Sequence, residues 1–571
     1  MLLKIRLTVF FSLLLILGKS QGTLIPIGSD QELYIDRMCT LYGTPDFFHR
    51  SVKPFYRKEI IGLIQYWRDK KLLAPDDDEY LKYIADENNE WLWNKKDSGS
   101  NEKNVFRYHS SEKPFLKYFY HSPANALEAN QKDLFLRVNP IINLQGGIDA
   151  QTKDKIIANQ RGIDLRIGVD DKLYAQTQII DNQISFPKFY RDKIDAHKSL
   201  PGAGLYKELI EHGIYKPKGY DFFIGNAQLG VRISPHVHMQ IGHATNFIGD
   251  GIRSLLLSDY AQEYFFLKLN THIWKLDYQN TFAELSATTF AQAGSGTDLL
   301  TKKYMASHTL QVHLFPKLTV GIFETVLFHR KDHFEFQYLN PVILYRSVEG
   351  AIGSPDNVML GINGSMDIKN RIQLYGQVII DEFIFKEVLH PSRGNWANKL
   401  GGQIGAKYFN AFGVNRLDLQ AEFNTVRPYT YSHFDSIANY THQLTPLAHP
   451  LGANFKELIL KAKYQPSFKW TFNGYILLYK VGEDPTASVN YGSDINKSYL
   501  TRIADYGINT LQGKVKSIHH IGGTISYQPF HNYYLDLNAY YRVNGNDKTE
   551  VTKYIGCGIR VNFWRKDLTL L

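Results

Sequence analysis

The sequence predicts a mainly β protein: a transmembrane antiparallel barrel of about eighteen strands, preceded by a small N-terminal helical subdomain. Three observations support this fold class. The chain opens with an export signal, its apolar residues change from a helical to an alternating period near residue 128, and the alternating segments are long and numerous. Together they indicate a protein that crosses a membrane with strands.

The first 22 residues have the three parts of a secretory signal peptide. Lys4 and Arg6 form a basic start, residues 7–17 form an apolar run, and small and polar residues follow up to Gly22. This run is too short for a membrane-spanning helix, which needs ~20 residues. We therefore expect residues 1–22 to be removed on export, and we expect the mature chain to have no membrane-spanning helix.

Residues 23–127 are predicted to form a helical periplasmic region and a linker. Apolar residues recur there at helical spacing. The pattern predicts three amphipathic helices, around Leu33 and Arg37, around Ile60, Ile61, Ile64 and Trp67, and around Tyr80, Leu81, Ile84 and Trp91. A polar stretch at 95–103, rich in Asn, Ser, Lys and Gly, is interpreted as the linker to a barrel at residues 128–571.

Beyond residue 128, apolar and polar residues alternate, which places them on opposite faces of strands. Clear examples lie at 134–139, 163–169, 358–380, 417–424, 533–544 and 554–564. In the last of these, one face carries Ile555, Cys557, Ile559, Val561 and Phe563, and the other carries Gly556, Gly558, Arg560 and Asn562. We expect the first face to meet lipid, and we expect this strand to close the barrel against the first strand near residues 134–143.

Weaker segments bring the strand count to about eighteen, and an even number suits a closed bacterial barrel. Closure satisfies every backbone group, because lipid offers no hydrogen-bond partners. The tight turns are expected to be periplasmic. The long irregular stretches are expected to be outer loops or lumen-filling segments, at about 181–218, 286–301, 331–356, 383–397, 428–453 and 481–512. A pair of β-sandwiches or a propeller is the alternative.

The composition agrees with a barrel in which every second strand residue faces a water-filled lumen. The chain is 44% hydrophobic and 14% aromatic, yet its mean hydropathy is −0.30. The formal net charge of +9 favours anionic surroundings such as lipopolysaccharide or an acidic glycan, although an ordinary mildly basic protein has the same balance. Cys39 and Cys557 lie in segments of very different character, so we expect no disulfide between them.

The segment at 241–261, between the predicted fifth and sixth strands, carries a family resemblance. Its Gly249-Asp-Gly251 and Ser254-Leu-Leu-Leu-Ser258 elements resemble the Gly-Pro-Gly and Ser-Leu-x-Leu-Ser elements of the capsule assembly Wzi family and of related gliding-motility outer-membrane proteins. Weaker echoes occur at 52–54 and 340–341. Asp250 replaces the Pro, and Ile248 stands where the family often has Trp. The family's architecture, a periplasmic helical bundle joined to an eighteen-stranded barrel, matches the predicted one.

The resemblance implies a lectin-like protein of the cell outer membrane that takes part in capsule or exopolysaccharide assembly or attachment. The 37 tyrosines of this chain are compatible with sugar binding, although most are expected in the interfacial girdles of the barrel. The candidate polysaccharide-binding residues are Phe247, Asp250, Arg253, Asp259 and Tyr260, with Arg346 and Glu349 in the next long irregular segment. In the alternative reading, Gly249 and Gly251 simply permit a tight loop that packs inside the lumen.

Catalytic and metal-binding patterns are weak, and we predict a non-enzyme with no catalytic residues, no metal and no cofactor. His236 and His238 share a strand face, but no third ligand is evident, and His243 has the opposite parity. His519 and His520 are adjacent and therefore point to opposite faces. The chain has no Gly-x-Ser-x-Gly elbow, no P-loop and no His-Glu-x-x-His.

Two other functions stay open from the sequence. A diffusion channel would need an open lumen, and barrels of this strand number can enclose one. A component of gliding motility or of a related secretion machinery is suggested by the resemblance alone. The expected partners are polysaccharide and outer-membrane lipid, including lipopolysaccharide. We expect a monomer with no nucleic-acid partner.

Overall fold

The structure is a computed structural model that describes residues 22–564 with gaps. The gaps are 71–72, 75–76, 94–119, 121, 132, 171, 211–212, 290–298, 331–332, 342–343, 354–355, 383, 389, 391–392 and 547–549. The predicted signal peptide and the predicted linker at 95–103 lie outside the described residues, apart from Gly22.

Eighteen antiparallel strands form a closed barrel, which confirms the predicted fold class. The strands are β1 Leu134–Asp149, β2 Lys155–Val169, β3 Leu173–Ile184, β4 Lys218–Arg232, β5 Val237–Ala244, β6 Tyr264–Ile273, β7 Leu276–Ser286, β8 Lys302–Phe315, β9 Leu318–Phe328, β10 Asn357–Ile368, β11 Ile372–Glu382, β12 Lys399–Tyr408, β13 Leu417–Val426, β14 Phe455–Ser467, β15 Trp470–Glu483, β16 Lys514–Phe530, β17 Tyr533–Asn544 and β18 Val551–Val561. Each strand is hydrogen-bonded to the next in the chain.

The barrel closes between β18 and β1. The register pairs Val561 with Ile142 and Tyr554 with Asp149. The predicted contact of the first and last strands is confirmed, but it uses the second half of β1. The first half of β1 pairs instead with a short strand, Leu127–Gln131, that precedes it in the chain. Another short strand, Lys207–Ile210, lies beside the start of β4.

Side-chain parity follows the sequence pattern. On β2, for example, Ile163 and Val169 are exposed on the outer wall, whereas Asp164 and Arg166 are buried in the lumen. The outer wall exposes apolar side chains on many strands, including Leu144, Ile179, Leu229, Ile322, Ile362, Val378, Ile404, Ile521, Leu537 and Ile559. Such a wall is unfavourable in water and typical of a barrel surrounded by lipid. Val561 is an exception: it was expected on the lipid face, but it is buried.

The two ends of the barrel differ. At one end, called the short-turn end, connections such as 274–275 and 468–469 are tight. At the other, called the long-loop end, they are mostly long, at 185–217, 245–263, 287–301, 329–356, 383–398, 427–454 and 484–513. Six of these seven positions match the long irregular stretches predicted from the sequence; the connection at 245–263 was not among them.

Four helices fill the short-turn end: α1 Asp30–Tyr42, α2 Arg57–Asp69, α3 Asp78–Glu87 and α4 Glu90–Trp93. The Ser29 side chain caps α1 by accepting a hydrogen bond from the Glu32 N–H at 3.3 Å. Ile60, Ile64 and Trp67 of α2 form one core with Tyr34 of α1 and with α3, as the helical period predicts.

Charged residues of α1 and of the segment between α1 and α2 are bonded to side chains of the barrel wall. The Arg37 guanidinium of α1 contacts Asp418 of β13, and Arg50 donates to Asp367 of β10 at 2.6 Å. Of the two residues that the helical period placed on one face of α1, Arg37 is buried as predicted, whereas Leu33 is exposed. Arg37 contacts a carboxylate in the barrel wall, which compensates its burial.

Three further helices lie in the connections: α5 Lys188–His197, α6 Tyr345–Ile352 and α7 Phe385–Val388. Short 3-10 turns occur at Phe336–Leu339, Ala411–Gly413, Ser436–Ala438 and Tyr499–Thr501. In the described part of the chain, no helix is both long enough and apolar enough to span a membrane.

The β9–β10 connection, residues 329–356, covers part of the outer wall and is called the outer segment. Tyr338, Tyr345 and Val348 of this segment form one buried cluster with Phe282, Tyr304, Val326 and Phe328, which occupy outward positions of β7–β9. An ion pair joins its two ends, with 2.8 Å between Arg330 Nη2 and Asp356 Oδ2. Beneath it lie three polar residues in direct cross-strand register, Asn280, His308 and Glu324.

Candidate functional site

The β5–β6 loop, residues 245–263, is the segment that carries the family resemblance, and it folds inward into the lumen. Its Phe247–Ile248 strand pairs antiparallel with Val52–Lys53 from the N-terminal region. The Gly249 N–H donates to the Ser51 carbonyl at 2.7 Å. The weak echo at 52–54 therefore pairs with the two residues that directly precede the Gly249–Gly251 element.

Glycine is required at the centre of this loop. Gly249 has φ +140°, and a Cβ there would lie 2.3 Å from Gln377 Nε2 of β11. At Gly251, a Cβ would lie 2.5 Å from Glu422 Oε2 of β13. Gly249 and Gly251 thus let the loop backbone approach polar side chains of the barrel wall.

Those wall side chains hold the loop. Glu422 accepts hydrogen bonds from the N–H groups of Ile252 at 2.6 Å and Arg253 at 3.0 Å. The Arg253 guanidinium also pairs with Glu457 of β14 at 3.2 Å. Asp250 accepts from the Ser51 hydroxyl at 2.5 Å and from Gln373 at 3.3 Å. The loop is therefore a built part of the lumen.

The residues nominated from the sequence do not form one cluster. Phe247 and Asp250 are buried against the N-terminal region, and Asp259 is half-buried. Arg253 and Tyr260 reach a cavity at the long-loop end. The other two, Arg346 and Glu349, lie on α6 outside the barrel and pair with each other at 2.7 Å.

The cavity that Arg253 and Tyr260 reach has a volume of about 850 Å³. Its wall comes from α5, the β5–β6 loop, the β13–β14 loop at 427–454, the β15–β16 loop at 484–513 and the inner faces of β14–β18. Aromatic rings are presented from several directions, by Phe189, Tyr260, Tyr479 and His520. We take this space as the candidate site, because it combines aromatic faces with charged groups in a concave surface.

Sequence reasoning missed the residues that α5 and β17 contribute. Residues 181–218 were taken as irregular, although the spacing of Phe189 and Lys193 places both on one face of a helix. Arg542 belongs to a predicted lumen face, but nothing in the sequence indicates that it lies opposite α5. The guanidinium of Arg542 is 4.1 Å from the centre of the Phe189 ring.

A buried histidine supports the floor of the cavity. His449 Nδ1 accepts from the Leu451 N–H at 3.1 Å, so its Nε2 carries the proton that it donates to Glu457 at 2.7 Å. Burial lowers the pKa of His449 although Glu457 opposes this shift. The neutral ring therefore orients Glu457, which in turn holds Arg253.

The remaining histidines do not assemble a metal site in the described residues, where no group of three His, Cys, Asp or Glu side chains could hold an ion. His238 is buried toward the lumen, and His236 lies in the turn before β5. His519 is exposed on the outer wall and His520 is buried, as their adjacency predicted. The expectation that the protein is not an enzyme stays a prediction.

Comparisons with known proteins show the fold. No family model and no curated protein sequence matches the chain. Among solved structures, the chain is similar to Wzi of Escherichia coli, an outer-membrane protein involved in group 1 capsule assembly and described as a carbohydrate-binding β-barrel. That match has a TM-score of 0.58 and 12% identity, and it covers 95% of this chain and 100% of that one.

Weaker matches include OprD of Pseudomonas aeruginosa, with a TM-score of 0.41, 11% identity and coverage of 75% of this chain and 93% of that one. OccAB2 of Acinetobacter baumannii matches with a TM-score of 0.40, 10% identity and coverage of 75% and 97%. The chain thus has a Wzi-like fold, an eighteen-stranded barrel with an N-terminal helical region, at an identity too low to assign it to the family.

Proposed function

We propose that this protein is an outer-membrane barrel that binds polysaccharide in the cavity at its long-loop end and retains it on the cell surface. The apolar outer wall and the likeness of the fold to Wzi support an outer-membrane location. In this orientation, the short turns and helices α1–α4 face the periplasm, and the long loops face outward.

One observation carries the proposal: the chain itself crosses the lumen. Helices α1–α4 enter from the short-turn end, and the β5–β6 loop enters from the long-loop end. They meet where Val52–Lys53 pairs with Phe247–Ile248. The cavity of about 850 Å³ lies above this junction. Because these segments occupy the lumen, the structure supports ligand binding in the cavity better than passage of a solute through the barrel.

The cavity has the chemistry of a sugar site. Aromatic rings can stack on the apolar faces of sugar rings, and charged and hydroxyl groups can bond to sugar hydroxyls. Tyr479 of β15 and Tyr260 of the β5–β6 loop supply such rings, and Lys497 and Asp484 supply an ion pair at 2.6 Å. The breadth of the cavity suits a short stretch of a glycan.

Binding of the purified protein to surface polysaccharide from the producing cells tests the proposal. Retention on an immobilised polysaccharide surface should fall several-fold for Tyr479→Ala. It should be unchanged for Tyr506→Ala, which removes an exposed tyrosine outside the cavity lining. Binding that is absent in the parent protein, or equal in both variants, would overturn the cavity as the site.

A deletion strain separates this role from the gliding or secretion alternative, for which the described residues offer no specific support. Loss of stained surface capsule with normal spreading is expected. Normal capsule with lost spreading would instead support the motility alternative.

A further inference from the structure

Six basic side chains line the cavity, and four of them are paired with carboxylates. The pairs are Lys188 with Asp192 at 2.6 Å, Arg253 with Glu457 at 3.2 Å, Lys497 with Asp484 at 2.6 Å and Lys516 with Glu483 at 3.8 Å. The other two, Lys193 and Arg542, have no carboxylate within 4.0 Å among the described residues. This difference singles out one side of the cavity.

Arg542 is only 6% exposed. It points inward from β17, and its guanidinium lies over the Phe189 ring at 4.1 Å. In the described part of the structure, it donates no hydrogen bond to a protein acceptor. Because Arg542 lines the cavity, its N–H donors are available to a ligand there.

Lys193 stands on the same face of α5 as Phe189, four residues further along the helix. Its ammonium donates to the Tyr260 hydroxyl at 2.8 Å and lies 5.3 Å from the centre of the Tyr260 ring. Phe189 and Tyr260 therefore position the cations of Arg542 and Lys193, respectively, and both cations line the same cavity.

The remaining carboxylates of the lining are satisfied by neutral donors. Asp494 accepts from the Asn496 N–H at 3.0 Å, and Glu550 accepts from Asn544 Nδ2 at 3.2 Å. Glu550 is also exposed to solvent. Neither forms an ion pair with Lys193 or Arg542 among the described residues, so neither occupies the donors of these two cations.

We propose that Arg542 and Lys193 form a subsite for the carboxylate of an acidic sugar in a polysaccharide. The planar guanidinium presents parallel N–H donors that match a carboxylate in a bidentate arrangement, and the lysine adds a point charge. Phe189 fixes the plane of the guanidinium by stacking, and Tyr260 orients the ammonium. This subsite rests on the proposed polysaccharide-binding function and adds a requirement for a negatively charged sugar.

Three forms of the surface polysaccharide from the producing cells test the subsite: the native polymer, a carboxyl-reduced polymer and a dephosphorylated polymer. The parent protein should bind the native and dephosphorylated forms equally and the carboxyl-reduced form about tenfold or more weakly. Binding of the native form should also weaken as ionic strength rises.

Variants locate the effect within the cavity. Arg542→Gln and Lys193→Gln should each weaken binding of the native polymer, flatten its salt dependence and leave the residual binding of the carboxyl-reduced polymer unchanged. Arg542→Lys keeps the positive charge but loses the bidentate hydrogen-bonding geometry of the guanidinium, so it should retain part of the affinity. Lys302→Gln, which removes an exposed lysine that is paired with Glu284 and lies outside the cavity lining, is the matched control and should bind like the parent. Heat-modifiable mobility in electrophoresis checks that each variant is folded.

The outcomes separate the two proposals. Equal binding of native and carboxyl-reduced polymer, or unchanged binding in Arg542→Gln, would overturn the subsite and leave polysaccharide binding intact. Loss of binding only after dephosphorylation would assign the anion as phosphate and overturn the carboxylate subsite. Failure to bind any of the three forms would overturn the proposed function and the subsite together.

Discussion

At the scale of single residues, the glycines and polar side chains of the β5–β6 loop have a structural role. Gly249 and Gly251 are needed for close backbone approach, and Asp250 is used to bond the loop to Ser51. Arg253 has a structural partner in Glu457 and also reaches the cavity. The motif thus forms part of the floor of the candidate site. Most of the side chains that line the cavity come from α5, from other loops and from β14–β18.

Gly249→Ala is expected to destabilise the protein by about 1–3 kcal/mol, because it combines an unfavourable positive φ with a clash against Gln377. The temperature at which heat-modifiable mobility is lost should therefore fall. Gly474→Ala on β15 is the matched control, since a Cβ there meets no atom within 4 Å. Equal stability of the two variants would contradict the tight approach.

At the scale of elements, two long connections at the same end of the barrel pack in opposite directions. The β5–β6 loop folds into the lumen, whereas the outer segment packs on the outer wall. The outer segment covers Asn280, His308 and Glu324, of which His308 Nδ1 lies 3.7 Å from Glu324 Oε2. The Tyr345 ring lies over His308 with 4.1 Å between the ring centres. A segment placed there keeps polar side chains of the wall away from lipid.

Replacing residues 331–355 with a tight turn should impair barrel assembly, because it exposes Asn280, His308 and Glu324 to lipid. Changing all three of these residues to Leu in the shortened protein should restore much of the assembled fraction, measured by heat-modifiable mobility. Normal assembly of the shortened protein without these changes would contradict the shielding role.

Acidification should loosen the β13–β14 loop. Burial lowers the pKa of His433 to about 4 and of His442 to about 3. Because both lie below the unfolded value of about 6.5, the folded loop binds fewer protons than the unfolded chain. The resulting stability is complete above pH ~6.5 and decreases as the pH falls toward 4.

Limited proteolysis of the loop at pH 7.5 and pH 4.5, with a protease active at both, measures this effect. Cleavage should increase at the lower pH, and a variant with His433→Gln and His442→Gln should show a smaller change. Equal protection of the parent protein at both values would argue against the histidines as its source.

At the scale of the whole molecule, the barrel and its N-terminal region are bonded into one body. Ion pairs connect Arg37 to Asp418, Arg50 to Asp367 and Asp36 to Lys407. Burial of Arg50 opposes its charged form, but Asp367 and Asp36 outweigh this effect and raise its pKa. The diffusion-channel alternative requires this body to leave a continuous path, and the meeting of the two inward segments argues against one.

The parent protein should show no steady ion conductance in planar lipid bilayers, whereas a variant lacking residues 23–93 should conduct, because it removes the helices from the short-turn end. Comparison of both proteins in the same bilayer provides the control for insertion. Steady conductance of the parent protein would support the channel alternative instead.

Much of the architecture was predictable because it depends on local patterns. Alternation in β2, β13 and β17 specified which side chains face outward, and the change of period separated helices from strands. The burial of Arg37 was not predictable from the helical period, since its partner Asp418 is distant in the chain. Arg346 and Glu349 were predicted as site residues because they lie in a long irregular segment after the motif, but the outer segment places them outside the barrel wall.

By itself, the sequence determined the barrel, its strand count and parity, and the location of its long connections, because strand periodicity is a property of adjacent residues. Only the tertiary structure decided that the β5–β6 loop enters the lumen and that Phe189, Lys193, Tyr260 and Arg542 share one cavity. These residues come from α5, a loop and β17, up to about 350 positions apart. Barrel closure brings them together, and no local pattern encodes that contact.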